Sequence, residues 1–200
     1  MIELLAATRN RHKTQEIQQI LGPEFRIHDL LAHPEVSEIH ETGTSFEENA
    51  KIKALAVSSQ LPGFVIADDS GLEVDALNGA PGIHSARYGG KNATDSDKID
   101  KVLRKLTRVD GAEGERRARF RCVVALARNG NLLATFEGTA EGRIANEPRG
   151  RSGFGYDPIF VPAESEQTFG ELPAEAKNAI SHRAKAIRAL AIKLRQLGVP

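Results

Sequence analysis

Up to Ala76, short apolar runs alternate with segments of helical periodicity, and this alternation limits the possible folds more than any other feature of the chain. Ile2–Ala7 reads as a buried strand. Arg11 to Leu21 carries Ile17, Ile20 and Leu21 at helical spacing and is stopped by Gly22-Pro23. Phe25–His28 reads as a second strand and Glu35–Gly43 as a polar loop. Ser45-Phe46-Glu47-Glu48 is a capping-box pattern opening a helix to about Gln60, with Phe46, Ala50, Ala54 and Val57 on one face. Pro62-Gly63 breaks it. Phe64–Ala67 is then a strand running straight into Asp68-Asp69, and Leu72–Ala76 is again extended. Thr94 caps a further helix with Ile99, Val102, Leu103 and Leu106 on one face. Phe120–Ala127 and Leu132–Thr139 are strands joined at Asn129-Gly130, a type I′ hairpin signal. Ser181 caps a last helix striped by Ile187, Leu190, Ala191 and Leu194. Helices alternating with strands and then a hairpin predict an α/β fold on a mixed sheet flanked by helices. At 200 residues the chain is expected to form one domain, 1–200, with room for two lobes.

Lys and Arg total 27 and Asp and Glu total 27, so a general nucleic-acid partner is not expected. Any grip on an anion must be local. Arg117, Arg119 and Arg121 alternate with Ala118, Phe120 and Cys122, which reads as a half-buried strand and not as a basic patch. The single cysteine, Cys122, lies in an apolar run and reads as a buried small hydrophobe; its solitude fits the reducing cytoplasm. No apolar stretch approaches the ~20 residues of a membrane span, and Met1–Ala7 is too short for a signal sequence. The expectation is a cytoplasmic chain without a membrane partner. The six histidines are scattered without zinc-ligand spacing.

Four segments could carry chemistry. Thr8-Arg9-Asn10-Arg11-His12-Lys13 joins a buried strand to a helix start, where free N–H groups and the helix dipole suit a phosphate; it would equally serve as an ordinary helix entry with solvated basic residues. Asp68-Asp69-Ser70-Gly71 follows an apolar strand. Carboxylates there need a cation or donors, and oxygen ligands suit Mg²⁺, with Glu41 a further candidate; an Asx turn is the other reading. Side chains alternate on a strand, so Asp68 and Asp69 should point to opposite sides. Gly153-Phe154-Gly155-Tyr156-Asp157-Pro158 offers close backbone approach, rings for stacking on a base and an acceptor in Asp157; a plain turn explains it as well. Ser181-His182-Arg183, with Lys177 upstream, could read a purine carbonyl or simply cap a helix.

These four segments in this order, with Gly79-Ala80-Pro81-Gly82 and Ser85-Ala86-Arg87-Tyr88 between them, resemble the inosine triphosphate pyrophosphatase family, and within it the bacterial dITP/XTP branch that clears non-standard purine nucleotides. The resemblance spans nearly the whole chain. It implies two lobes around a long mixed sheet with the site in the cleft between them, Mg²⁺, a homodimer, and hydrolysis of ITP, dITP and XTP to monophosphate and pyrophosphate. Thr8, Asn10 and Lys13 match the triphosphate motif, with Arg9, Arg11 and His12 in its variable places. Asp69 matches the proton acceptor near the metal and Glu41 a metal-linked acid; the place before it, often acidic in the family, is His40. Ser70, Phe154, Gly155, Tyr156, Asp157, Lys177, His182 and Arg183 match substrate-binding positions. Asp68 is left a structural or supporting part.

Overall fold

The computed structural model describes residues 1–90, 92–109 and 116–197. The chain divides into two compact units, one of Met1–Asp69, Cys122–Gly138 and His182–Pro200, the other of Ser70–Arg121 and Thr139–Ser181. Among the described residues the strands form a six-stranded sheet in the order β2-β1-β3-β4-β5-β6, where β1 is Ile2–Ala6, β2 Phe25–Asp29, β3 Phe64–Val74, β4 Arg117–Arg128, β5 Asn131–Ile144 and β6 Phe160–Pro162. The sheet is mixed: β1 runs parallel to β2 and β3, and β5 antiparallel to β6. The α/β expectation holds.

In the first unit, α1 (Arg11–Leu21), α2 (Phe46–Ser58) and α5 (His182–Gln196) pack the stripes that the sequence predicts, with Ile20 of α1 only partly buried. Phe46, Ala50, Ala54 and Val57 of α2 are all buried. Ile17 and Leu21 of α1 join Ile187, Leu190 and Leu194 of α5 in one core with Leu4, Ile66, Cys122 and Val124. Ser45 caps α2 by accepting from the Glu48 N–H, but Glu48 turns to the Thr44 N–H, so only half of the capping box forms. Asn129 and Gly130 adopt φ of 51° and 73°, the two left-handed positions of a type I′ turn.

The second unit holds α3 (Asp95–Leu106), with a reciprocal Thr94–Asp97 capping box, and the short helix α4 (Ala174–Ile180), which the periodicity does not announce. Its core joins Leu72, Ile99, Val102, Phe120, Phe160 and Phe169. The Arg117–Arg121 stretch alternates exposed or half-buried arginines with buried Ala118 and Phe120, the half-buried strand expected of it.

One boundary differs from expectation. Asp68 and Asp69 do not end a strand; they lie in the middle of the eleven-residue β3. Most of β3 is buried, Asp68 and Asp69 included, so these two carboxylates enter the interior as part of a continuous strand, and their partners make that tolerable.

Candidate active site

The motif residues fall in both units. Thr8 to Lys13, Glu41, Asp68, Asp69, His182 and Arg183 belong to the first, and Ser70, Phe154 to Asp157 and Lys177 to the second.

In the first unit, β1 delivers Thr8 to the start of α1. The Asn10 side chain caps that helix, its Oδ1 accepting from the His12 N–H at 2.9 Å and the Lys13 N–H at 3.4 Å. Two of the donors expected to meet a phosphate are thus held by Asn10, while Asn10 N–H donates to Thr8 Oγ1. Arg9 reaches the Val36 carbonyl at 2.5 Å. Lys13 lies 3.0 Å from Asp68 Oδ2.

The alternation of β3 gives its two aspartates different neighbours. Asp68 meets Lys13 of α1 and Arg183 of α5, the latter at 3.1 Å, and Arg183 also pairs with Glu16. Burial works against the Asp68 carboxylate, but Lys13 and Arg183 outweigh it and hold its pKa far below the usual range. Burial likewise opposes the Arg183 guanidinium, yet Asp68 and Glu16 raise its pKa. Arg183 lies 2% exposed, so its guanidinium serves this buried cluster first. Gly138 gives α5 its seat: a Cβ there would fall 2.1 Å from the His182 carbonyl oxygen.

Asp69 faces α2. Its Oδ2 accepts from Asn49 Nδ2 at 3.2 Å, and its Oδ1 lies 3.3 Å from the Lys53 ammonium. Lys53 donates to Glu41 at 2.7 Å and to the Asp68 carbonyl at 2.8 Å. Burial raises the Asp69 pKa, with Glu41 adding to the rise and Lys53 opposing it. For Lys53, burial disfavours the ammonium, but Asp69, Asp68 and Glu41 overcome it and raise its pKa. A cavity of about 370 Å³ opens beside this group, lined by Ala7, Thr8, Arg9, Glu38, Ile39 and Lys53.

Asn49 and Lys53 are absent from the motif reading. Their signal was available: they stand four apart on α2, beside the apolar face of Ala50 and Ala54, where a polar side chain needs a partner. Asn49 is fully buried, and its Oδ1 accepts from the Gly43 N–H, which ties the loop after Glu41 to the residue that orients Asp69.

In the second unit, Asp157 anchors the glycine-rich loop. Its Oδ2 accepts from Lys177 at 2.6 Å and from the Phe154 N–H at 2.8 Å. Gly153 has φ of 75°, and a Cβ there would lie 2.0 Å from that oxygen, so glycine is required on both counts. The Lys177 ammonium lies 5.1 Å from the Phe154 ring centre and 5.7 Å from that of Phe169. The Gly155 N–H donates to Asp95, and the buried Tyr156 donates its hydroxyl to the Ser85 carbonyl. The Tyr156 ring is buried, and Phe154 in the same loop is half-buried. Ser70 is half-buried on β3. A larger cavity of about 910 Å³ is lined by Arg116, Arg143, Arg149 and Glu166 among others, none of them from the motifs.

Cys122 takes no part: burial pushes its thiol up to about 12, which keeps it protonated and inert. Among the described residues, no helix is long and apolar enough to cross a membrane.

Known proteins match this chain over nearly its whole length. The dITP/XTP pyrophosphatase of Halalkalibacterium halodurans is 47% identical over 191 residues, covering 95% of this chain and 97% of that protein. The dITP/XTP pyrophosphatase of Bacillus subtilis is 47% identical over 193 residues, covering 95% and 96%. Among solved structures, a HAM1 protein from Coxiella burnetii superposes with a TM-score of 0.87 at 44% identity, covering 98% of this chain and all of that one. The Staphylococcus aureus Ham1 protein superposes with a TM-score of 0.84 at 40% identity, covering 98% and 99%. The model of the Ham1 family matches residues 4–193, and with this fold, these motifs and these relatives the chain belongs to that family.

Proposed function

We propose that the chain is a nucleoside triphosphate pyrophosphatase that hydrolyses dITP, ITP and XTP to the nucleoside monophosphate and pyrophosphate, keeping these nucleotides out of DNA and RNA. The observation that carries this reading is the Glu41–Lys53–Asp69 group beside the cavity lined by Thr8 and Arg9, in a chain whose relatives bear the dITP/XTP pyrophosphatase name.

The donor set fits Mg²⁺. Glu41 and Asp69 direct carboxylate oxygens at the same ammonium, so the two share one cation position. Among the described residues no group of three or more His, Cys, Asp or Glu forms a cage of protein ligands. Mg²⁺ commonly takes one or two carboxylates and completes its shell with water and phosphate oxygens. Glu41 and Asp69 would hold the ion, and when bound it supplies neutralising charge at the phosphates.

Phosphoryl chemistry asks the protein for charge and placement. Thr8, Asn10 and Lys13 hold the triphosphate, with Arg9, Arg11 and His12 beside them. Asp69, oriented by Asn49 and with its pKa raised, accepts the proton of the attacking water. Ser70, Phe154, Gly155, Tyr156, Asp157 and Lys177 serve the substrate in the second unit, with the Phe154 ring the stacking face. The Ser181-His182-Arg183 segment favours the 6-carbonyl of hypoxanthine and xanthine, His182 foremost because the Arg183 guanidinium faces Asp68 and Glu16. An adenine amino group opposite a buried donor leaves it unpaired, at about 1–3 kcal/mol per group. The whole chain acts as one functional domain, in the cytoplasm and as a homodimer, without nucleic-acid or membrane partners.

Incubation with dITP and Mg²⁺, with the products separated, tests the reading. dIMP and pyrophosphate are expected, with dATP and dGTP turned over far more slowly. Release of orthophosphate, or equal rates for the three nucleotides, overturns it.

A further inference from the structure

We infer that Lys53 is a resident countercation of the Glu41–Asp69 pair, which a divalent cation must displace, so that the nucleotide-free protein holds free metal weakly. The inference rests on the reading of that pair as the metal position. Lys53 lies 2.7 Å from Glu41 Oε1 and 3.3 Å from Asp69 Oδ1, so its ammonium occupies the point on which both carboxylates converge. It is anchored there by a third acceptor, the Asp68 carbonyl at 2.8 Å, and its side chain is only 12% exposed. Lys13 approaches from another side, 3.0 Å from Asp68.

A divalent ion bound between the two carboxylates, at ligand distances of ~2.1 Å, would take the point that the ammonium now holds and compete for the same oxygens. Like charges so close repel strongly, and with the Lys53 and Asp69 side chains only 12% and 10% exposed, water screens them little. Entry of the ion therefore requires Lys53 to move, with its proton kept and its contacts to Glu41 and Asp69 given up. The way out is supplied by the structure: Lys53 itself lines the 370 Å³ cavity with Thr8 and Arg9. A cation that arrives bound to a polyanion faces less repulsion from Lys13 and Lys53 than a bare one. Metal and nucleotide thus enter together, and the pair is kept neutralised between turnovers.

Titration of the nucleotide-free protein with Mn²⁺, read by electron paramagnetic resonance, tests this without any catalytic assay. Lys53→Met should bind Mn²⁺ about tenfold or more tightly than the unaltered protein, the order set by removing one competing charge-assisted contact. Lys53→Arg, which keeps the cation, should stay near the original affinity, and Glu41→Gln should abolish the gain when combined with Lys53→Met. In the unaltered protein, saturating Mg²⁺ should increase the rate of reductive methylation at Lys53 as its ammonium leaves the pair, a readout independent of how the variants fold. Unchanged or weaker Mn²⁺ binding by Lys53→Met, survival of the gain without Glu41, or Lys53 methylation that Mg²⁺ fails to speed overturns the inference. A chain that fails to hydrolyse dITP yet shows the Mn²⁺ gain would refute the substrate and leave the exchange standing.

Discussion

Replacing Asp68 by Asn tests the buried charge cluster directly. The Asp68 side chain is 2% exposed and sits between Lys13 at 3.0 Å and Arg183 at 3.1 Å. The substitution keeps the volume and one carbonyl oxygen but removes the charge, leaving Arg183 buried with Glu16 as its carboxylate. Breaking a buried pair in this way costs roughly 3–5 kcal/mol, and retention of the isostere places the expected loss near about 3 kcal/mol. Melting temperature should fall by about 6–12 °C for a chain of this size. Because the folded pKa of Asp68 is depressed, its stabilisation is fully present above the unfolded value of about 3.9 and is lost as pH falls below it. The gap between Asp68→Asn and the unaltered protein should therefore be flat from about pH 8 to 5 and narrow below about pH 4. Urea unfolding across that range is the assay. A loss under 1 kcal/mol, or a gap that widens in acid, would refute the claim that Lys13 and Arg183 outweigh the burial of Asp68.

Asp69→Asn should lower turnover of dITP by about a thousandfold or more, in line with loss of a general base, while nucleotide binding by calorimetry stays within a few-fold; near-normal turnover would remove Asp69 from that role. Gly153→Ala should strain a left-handed position and push the Asp157 carboxylate off Lys177 and the Phe154 N–H, raising KM for dITP by about tenfold. An unchanged KM would show that the loop does not shape the substrate site. Asn49→Leu should lower both kcat and the melting temperature, because it releases Asp69 and the Gly43 N–H together; a loss of stability with kcat intact would make Asn49 a packing residue only.

The helices were legible wherever an apolar stripe and a cap coincided. α1 keeps the bounds that Gly22-Pro23 and the Ile17–Leu21 spacing imply, and α3 keeps its Thr94 cap. α4 was not legible: at seven residues it has room for no repeating stripe, and Pro173 at its start offers no side-chain cap. β3 reads as two pieces because acidic residues normally mark a strand's end; three cations, the partly buried Lys13 and Lys53 and the buried Arg183, are what let it continue. The motif residues of the site were visible in order. What they do locally was not, since Asn10 as a cap, Arg183 as the partner of Asp68, and Lys53 between two acids are properties of distance and not of spacing.

The parallel pairing of β3 with β1 sets Leu4 opposite Phe64, Leu5 opposite Val65 and Ala6 opposite Ile66, and the Ala7 N–H closes on the Ile66 carbonyl at 2.7 Å. That ladder ends two residues before Asp68. A slip of one residue would turn every following side chain to the opposite face. Asp69 would then be locked between Lys13 and Arg183, and Asp68 would be offered to Asn49, Lys53 and Glu41. Two identical side chains, adjacent in the chain, owe their separate fates to three backbone pairings upstream. Which carboxylate meets Lys13 and Arg183, and which meets Asn49 and Lys53, is thus decided by strand register, in a ladder that stops short of both.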